Sequence, residues 1–309
     1  MKVLITGGAG FLGSNIADHL LAEGHGVLVL DNFATGRRES LAAHASLEVV
    51  EGSVADGALV DELFDRFQPT HVIHAAAAYK DLSNWEEDIR SNVLGTVHVV
   101  RASQRCSVER VVHFQTALAY GQPDQVPVRR DHPLRPRTSY SISKAGGERY
   151  LEMSGLSWIS LRMANVYGPR AYTGPMPAFY KRLKAGKPCS IVRTRRDFVY
   201  FDDFMRVLTA MLPTDAPTGY FNLSSGNDVT IEEIFAQVSA ALGITPDSPP
   251  DVVDPLEDDL ASLLLDPSAT KETFSWEPTI DLADGVARLV AWYEAHGVGE
   301  TFTHLKQRG

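Results

Sequence analysis

The chain has 309 residues, of which 44% are hydrophobic, and its 29 basic and 39 acidic residues leave a net charge of -10. That composition excludes a disordered or fibrous chain. It also argues against a sequence-independent grip on nucleic acid or an anionic membrane, so any anionic ligand must be held by local groups.

In chain order, KVLIT reads as a strand and is followed by a glycine loop. FLGSNIADHLLAEG then places Leu12, Ile16, Leu20 and Leu21 at helical spacing before Gly24 closes the segment. The runs GVLVLD and LEVVEG are strand-like, GALVDELFDRF helical and HVIHAAA a strand. A long helix over WEEDIRSNVLGTVHVVRASQ leads to a strand at RVVHFQT, a helix at SYSISKAGGERYLEM and a strand at SWISLRMAN. Strand alternating with helix at this pace predicts an α/β fold, a doubly wound parallel sheet with helices on both faces. From about residue 166 the rhythm changes. YGPRAYTGPMP is rich in Gly and Pro, AFYKRLKAG is helical, and FVYFDDFMRVLTAML is expected to return to the sheet. The acidic, proline-rich TPDSPPDVVDPLEDD reads as a surface loop.

No stretch reaches the roughly 20 apolar residues that span a bilayer. The apolar start is cut by glycines with no cleavage-type segment behind it. The only cysteines, Cys106 and Cys189, lie far apart without metal-ligand spacing; a reducing cytoplasm and no metal are the expectation.

TGGAGFLG sets Gly7, Gly10 and Gly13 in a G-x-x-G-x-x-G pattern between a strand and a helix. Such glycines permit a tight turn, close approach of backbone amides to a pyrophosphate and close helix packing, while the helix N-terminus favours the anion. A structural turn explains the pattern as well, so the next feature matters. Asp31 ends the second strand, where a carboxylate accepts hydrogen bonds from the adenine-ribose hydroxyls and repels a 2'-phosphate. NAD is therefore favoured over NADP, although Arg37 and Arg38 either reach a 2'-phosphate or are solvated loop charges. The expected organisation is a Rossmann-like NAD-binding domain over 1–165, rejoined by 190–225. A smaller C-terminal substrate-binding part comprises 166–189 and 226–309.

Tyr140 and Lys144 form Y-x-x-x-K, an i, i+4 pair on one helix face. A free phenol titrates near 10, so work as a base needs nearby positive charge, supplied by Lys144 and an oxidised nicotinamide. Thr116 ends the preceding strand at the carboxyl edge of the sheet, where ligands bind.

Together with LDNFATG, HAAA, SNVLGT, TALAYG, RMANVYGPR, RRDFVYFDD and FNLSSG, these motifs resemble the extended short-chain dehydrogenase/reductases, in particular the nucleotide-sugar epimerases and dehydratases. The resemblance covers nearly the whole chain. It implies that NAD rests on Gly7, Gly10, Phe11, Leu12, Gly13, Asp31, Asn32, Ser53, Val54, Ala75, Ala76, Ala77, Asn92, Tyr140 and Lys144. Tyr140 would take the proton of a sugar hydroxyl, usually at C4. Thr116 would bond the same oxygen, and Lys144 would orient the nicotinamide ribose. Asn92 would hold the backbone around the site. Asn165 and Arg196 would meet the nucleotide-sugar phosphates, unless Arg196 makes a surface ion pair with Asp197. The helices over 85–104 and 140–153 would build a homodimer interface.

Relatives that dehydrate carry an Asp-Glu pair after the threonine, worth roughly 10² to 10⁴ in rate as general acid and base. Here Ala117 and Leu118 take those places. An epimerase needs only reversible oxidation and reduction with the cofactor regenerated, so a nucleotide-sugar 4-epimerase leads, acting on a UDP-linked hexose, N-acetylhexosamine or uronic acid. An atypical dehydratase and a non-catalytic NAD-binding sensor are the alternatives. Three places depart from the typical epimerase. Leu256 stands where a phosphate-binding arginine is usual, with Arg193, Arg195 and Lys187 either compensating or solvated. Ser53 replaces an aspartate. Lys80 is a candidate partner for a substrate carboxylate, or holds a structural or cofactor-phosphate position.

Overall fold

The computed structural model describes residues 1–299 except 80, 82, 247, 256–259 and 261. Its central sheet is built from β1 (Lys2–Thr6), β2 (Gly26–Asp31), β3 (Leu47–Glu51), β4 (His71–His74), β5 (Arg110–Thr116), β6 (Trp158–Met163) and a seventh strand, Gly219–Leu223. The helices interleaved with them are α1 (Phe11–Ala22), α2 (Gly57–Phe67), α3 (Trp85–Asp88), α4 (Gly95–Arg105) and α5 (Ser139–Glu152). Val3, Leu4, Ile5, Val27, Leu28, Val29, Val72 and Ile73 are at most 1% exposed. Strands apolar on both faces belong inside a parallel sheet covered on both sides.

With the seventh strand labelled β10 by its place in the chain, the order is β10-β6-β5-β4-β1-β2-β3, and β1 pairs in parallel with both β2 and β4. The chain therefore runs outward in one direction after β1 and in the other after β4. The carboxyl ends of these two strands flank the switch point, where an open α/β sheet binds ligands. Between α3 and α4 the helix passes through a π-type stretch, Ile89–Leu94, which centres on Asn92; such bulges gather at functional sites.

The chain divides into two compact units. The first comprises Met1–Tyr120, Pro133–Arg162 and Val207–Phe221; the second comprises Gly121–His132, Met163–Arg206 and Asn222–Gly309. Within the second, β7 (Asn165–Tyr167), β9 (Arg195–Tyr200) and β11 (Asp228–Thr230) form a three-stranded sheet, and β8 (Ser190–Val192) pairs in parallel with β12 (Asp251–Val253). The helices α6 (Pro175–Lys184) and α8 (Ile231–Leu242) and the helix Leu282–His296 enclose an aromatic core with Phe179, Tyr180, Phe235 and Tyr293.

Two expectations need correction. FVYFDDFMRVLTAML does not rejoin the central sheet as a strand: its start lies in β9 of the small sheet, and Phe201–Met211 is helix α7. Phe204, Val207, Leu208 and Met211 are fully buried at i, i+3, i+4, i+7, the period of a helix rather than a strand. The acidic loop also contains a short strand, β12, paired through Val252 with Ile191.

Candidate active site

The loop from β1 to α1 is packed so closely that side chains are excluded. Gly7 has φ +68°, and a Cβ there would lie 2.7 Å from the Ala76 amide nitrogen; one on Gly13 would lie 2.4 Å from the Gly7 carbonyl oxygen. Gly10 caps α1 without a side-chain acceptor. The N–H groups of the first turn are left to meet an anion, as a pyrophosphate requires. Asp31 braces this cradle: Oδ2 accepts from the Ala9 amide and Oδ1 from the Phe33 amide, each at 2.8 Å. Burial raises its carboxyl group above the ordinary value against those two bonds. Lone pairs remain on both oxygens for ribose hydroxyls. Arg38 pairs with Glu51 at 2.8 Å and lies 4.4 Å from the centroid of the Phe33 ring, which engages one of the two arginines suited to a 2'-phosphate. Phe11 and Leu12 at the start of α1 are half-buried and Val54 is buried. Asn32 and Ser53 accept from the amides of Ala34 and Ala55. The bare backbone at 7–13 and the carboxylate behind it fit NAD.

The segment after β4 forms the other wall. Ala75 donates its amide to the Thr6 carbonyl at 3.1 Å, Ala76 to Thr6 Oγ1 at 3.2 Å, and Ala78 to Asn92 Oδ1 at 2.8 Å; half-buried Ala77 lies between them. Asn92, fully buried, returns its amide nitrogen to the Ala78 carbonyl and to Ser143 Oγ, which in turn donates to the Tyr140 carbonyl. Beneath it, His74 touches Thr6 Oγ1 through Nδ1 (2.7 Å) and Thr96 Oγ1 through Nε2 (2.9 Å), and Thr96 donates to the Asn92 carbonyl. Because Thr96 spends its proton on Asn92, His74 must donate from Nε2 and accept at Nδ1. Burial agrees with that neutral ring, lowering His74 to about 3 with Lys144 adding to the effect.

Tyr140 is the second residue of α5, whose start is fixed by reciprocal bonds between Thr138 and Ser141. It keeps partial exposure, yet burial first, then Tyr79 and Asp88, pushes its phenol well above the ordinary value. Lys144, 2% exposed, is lowered by burial to about 7, with Glu148 opposing the fall. Burial thus disfavours charge on both members of the pair. Gln115, buried in β5, joins them to Thr116: its Nε2 donates to the Lys144 carbonyl at 3.0 Å and its Oε1 accepts from the Thr116 amide at 2.8 Å. The Leu118 amide donates to Thr116 Oγ1 at 3.1 Å, so that hydroxyl's own proton points elsewhere. Sequence reasoning missed His74, Gln115 and Ser143. The signal for Gln115 was a glutamine inside an otherwise strand-like run.

In the second unit, Asn165 Nδ2 donates to the Asp197 carbonyl at 3.0 Å. Arg196 Nη1 donates to the carbonyls of Arg195 and Leu260, each at 2.7 Å. The Asp197 carboxylate faces Ser225, whose amide and hydroxyl it accepts. Arg193 is paired with Asp254 and Arg195 with Asp228. Lys80 and Leu256 lie outside the described residues. Among the described residues no helix is long and apolar enough to cross a membrane, and no group of three His, Cys, Asp or Glu could hold a metal ion.

Residues 3–224 match the NAD dependent epimerase/dehydratase family. A UDP-glucose 4-epimerase of Mycolicibacterium smegmatis is 33% identical to this chain over 95% of it and 98% of that protein. The Bordetella bronchiseptica enzyme WbmG, solved in complex with NAD and UDP, is 49% identical with a TM-score of 0.95, covering 99% of both chains. WbmH of the same organism, solved with NAD+, is 45% identical with a TM-score of 0.92, over 96% of this chain and 99% of that one. With a family match over most of its length and a relative at 33% identity, the chain belongs to the NAD-dependent epimerase/dehydratase family.

Proposed function

We propose that this protein is an NAD-dependent 4-epimerase of a nucleotide-linked sugar, a UDP-hexose, N-acetylhexosamine or uronic acid, working through a transient 4-keto sugar. The observation that carries the reading is the pairing of Thr116, Tyr140 and Lys144 with inert neighbours. Ala117 is 6% and Leu118 42% exposed, and neither side chain moves a proton. Bound NAD supplies a reversible hydride acceptor. Tyr140 takes the proton of the sugar hydroxyl and gives it back. Thr116, already accepting from Leu118, donates its proton to the same oxygen. Lys144 stabilises the phenolate and orients the cofactor ribose. Asn92 holds the segment 75–78 against α5, and Asn165 and Arg196 contact the substrate phosphates. The 4-epimerase named among the relatives supports this reading over dehydration, for which Ala117 and Leu118 supply no acid or base.

The protein works as a homodimer. Trp85, Ile89, Ile142 and Met153 are 67%, 58%, 54% and 79% exposed on α3, the π stretch, α5 and the α5 C-cap, apolar surface of the kind that marks an interface. Free thiols at Cys106 and Cys189 suit a cytoplasmic enzyme supplying sugars for polysaccharide assembly. Tyr140→Phe tests the chemistry: turnover disappears while NAD binding stays close to wild type. Unchanged turnover eliminates the mechanism.

A further inference from the structure

On α5, Tyr140, Lys144 and Glu148 follow one another at intervals of four and share a face. Glu148 is fully buried, and its carboxylate is clamped from β6. Oε1 accepts from Ser160 Oγ at 2.6 Å and from Arg162 Nε at 3.1 Å, and Oε2 accepts from Arg162 Nη2 at 2.8 Å. Arg162, 3% exposed, also donates to the Tyr120 hydroxyl at 3.1 Å, and its guanidinium lies 4.2 Å from the Tyr220 ring centroid. Tyr120 ends the turn that begins one residue after Thr116. The cluster therefore ties the helix bearing the proton-moving pair to the turn that follows Thr116, the hydroxyl partner at the end of β5.

A buried ion pair repays its desolvation only with good geometry and satisfied lone pairs, and a merely structural pair could sit anywhere under the sheet. This one stands one helical turn beyond Lys144. Among the described residues that ammonium also acts on His74 of β4 and His113 of β5, whose rings are both held neutral by burial, while Tyr140 stands one helical turn before it on α5. Glu148 is the anion that favours the charged lysine, against the burial that drives it toward the amine. We infer that Glu148, clamped by Arg162 and Ser160, is a positioning residue whose buried carboxylate keeps Lys144 cationic and fastens the catalytic helix to the turn after Thr116. The inference rests on the proposed epimerase reading for its catalytic meaning. The charge on Lys144 is open to a test that needs no substrate.

The holoenzyme is labelled with 13C at lysine Cε, and the Lys144 resonance is identified by its loss in Lys144→Arg. In Glu148→Gln its titration midpoint falls by about one pH unit or more. In the same variant the alkaline limb of the kcat profile moves to lower pH while KM stays within about twofold. Ser160→Ala, which removes a neutral bond to the same carboxylate, lowers Tm and leaves both midpoints in place. Glu148→Asp, which keeps the charge, restores most of the shift. Should Glu148→Gln be recovered unfolded with Arg162 stranded, Glu148→Gln with Arg162→Met is compared with Arg162→Met alone, so that the difference in midpoint belongs to the Glu148 carboxylate. A Lys144 midpoint that does not move on loss of that carboxylate, in either background, overturns the inference whatever the turnover. A wild-type protein that turns over no sugar overturns the functional reading and leaves the resonance to judge Glu148.

Discussion

Replacing Gly13 by alanine places a methyl group 2.4 Å from the Gly7 carbonyl oxygen and 2.5 Å from Gly8 Cα, where ordinary contact begins at 3.4 Å; the shortfall against the oxygen is 3.4 − 2.4 = 1.0 Å. Both obstacles are backbone, so no rotamer relieves the overlap. The loop cannot retreat, because the Gly7 amide is bonded to the Leu30 carbonyl at 2.8 Å and its far side lies against Ala76. Either α1 slides or the cradle opens, and in both cases the amides facing the pyrophosphate move. Overpacking of this kind costs about 1–3 kcal/mol, and if the strain falls on the bound form it weakens NAD by about 5- to 150-fold. Isothermal titration of cofactor-stripped protein reads the loss. Gly26→Ala, where a Cβ meets nothing within 4 Å, stays within about 0.5 kcal/mol of wild type. Wild-type NAD affinity in a folded Gly13→Ala refutes the assignment of this loop as the pyrophosphate cradle.

Asn92→Ala strips the Ala78 amide and carbonyl and Ser143 of their partner. It lowers unfolding free energy by about 2–4 kcal/mol in urea melts and lowers kcat with it. If the proposed dimer forms through this face, paired substitutions Ile142→Glu on α5 and Met153→Glu at its C-cap lower the sedimentation coefficient to that of a monomer; an unchanged sedimentation coefficient rejects that interface. Asp197 is buried and its carboxyl is pushed up to about 6 from 3.8. Between these values the folded protein holds a proton that the unfolded chain has released, so stability falls as pH rises through that window, by up to about 3 kcal/mol. Asp197→Asn keeps an acceptor for Ser225, removes the titration and flattens that slope; parallel slopes for the two proteins contradict the assignment.

Much of the sheet was legible because its inner strands carry apolar runs, Val3–Ile5 in β1 and Val27–Leu30 in β2, and because α1 shows its buried stripe through Ile16 and Leu20. Asp31 was visible too, since it stands at the end of such a run. What stayed hidden was the set of polar residues whose meaning depends on partners distant in the chain. His74 is separated from Thr6 by 68 positions and from Thr96 by 22, and nothing local distinguishes it from a surface histidine. Glu148 reads as an ordinary helical glutamate until β6 brings Arg162 and Ser160 against it. The segment FVYFDDFMRVLTAML misled because its aromatic start suits a strand, while its later residues obey the helical period that α7 adopts. The arginines at 193 and 195 looked available for phosphate, yet Asp254 and Asp228 claim them. Those carboxylates lie 61 and 33 positions away.

The most direct trial of the central claim is to run the reaction on a UDP-hexose in deuterated water and follow the products by mass spectrometry and proton NMR. Reversible removal of the C4 hydride by one tyrosine-centred site gives the C4 epimer at unchanged mass, with no solvent deuterium on carbon and no product from Tyr140→Phe. A product lighter by one water, or one carrying deuterium at a ring or side-chain carbon, contradicts it.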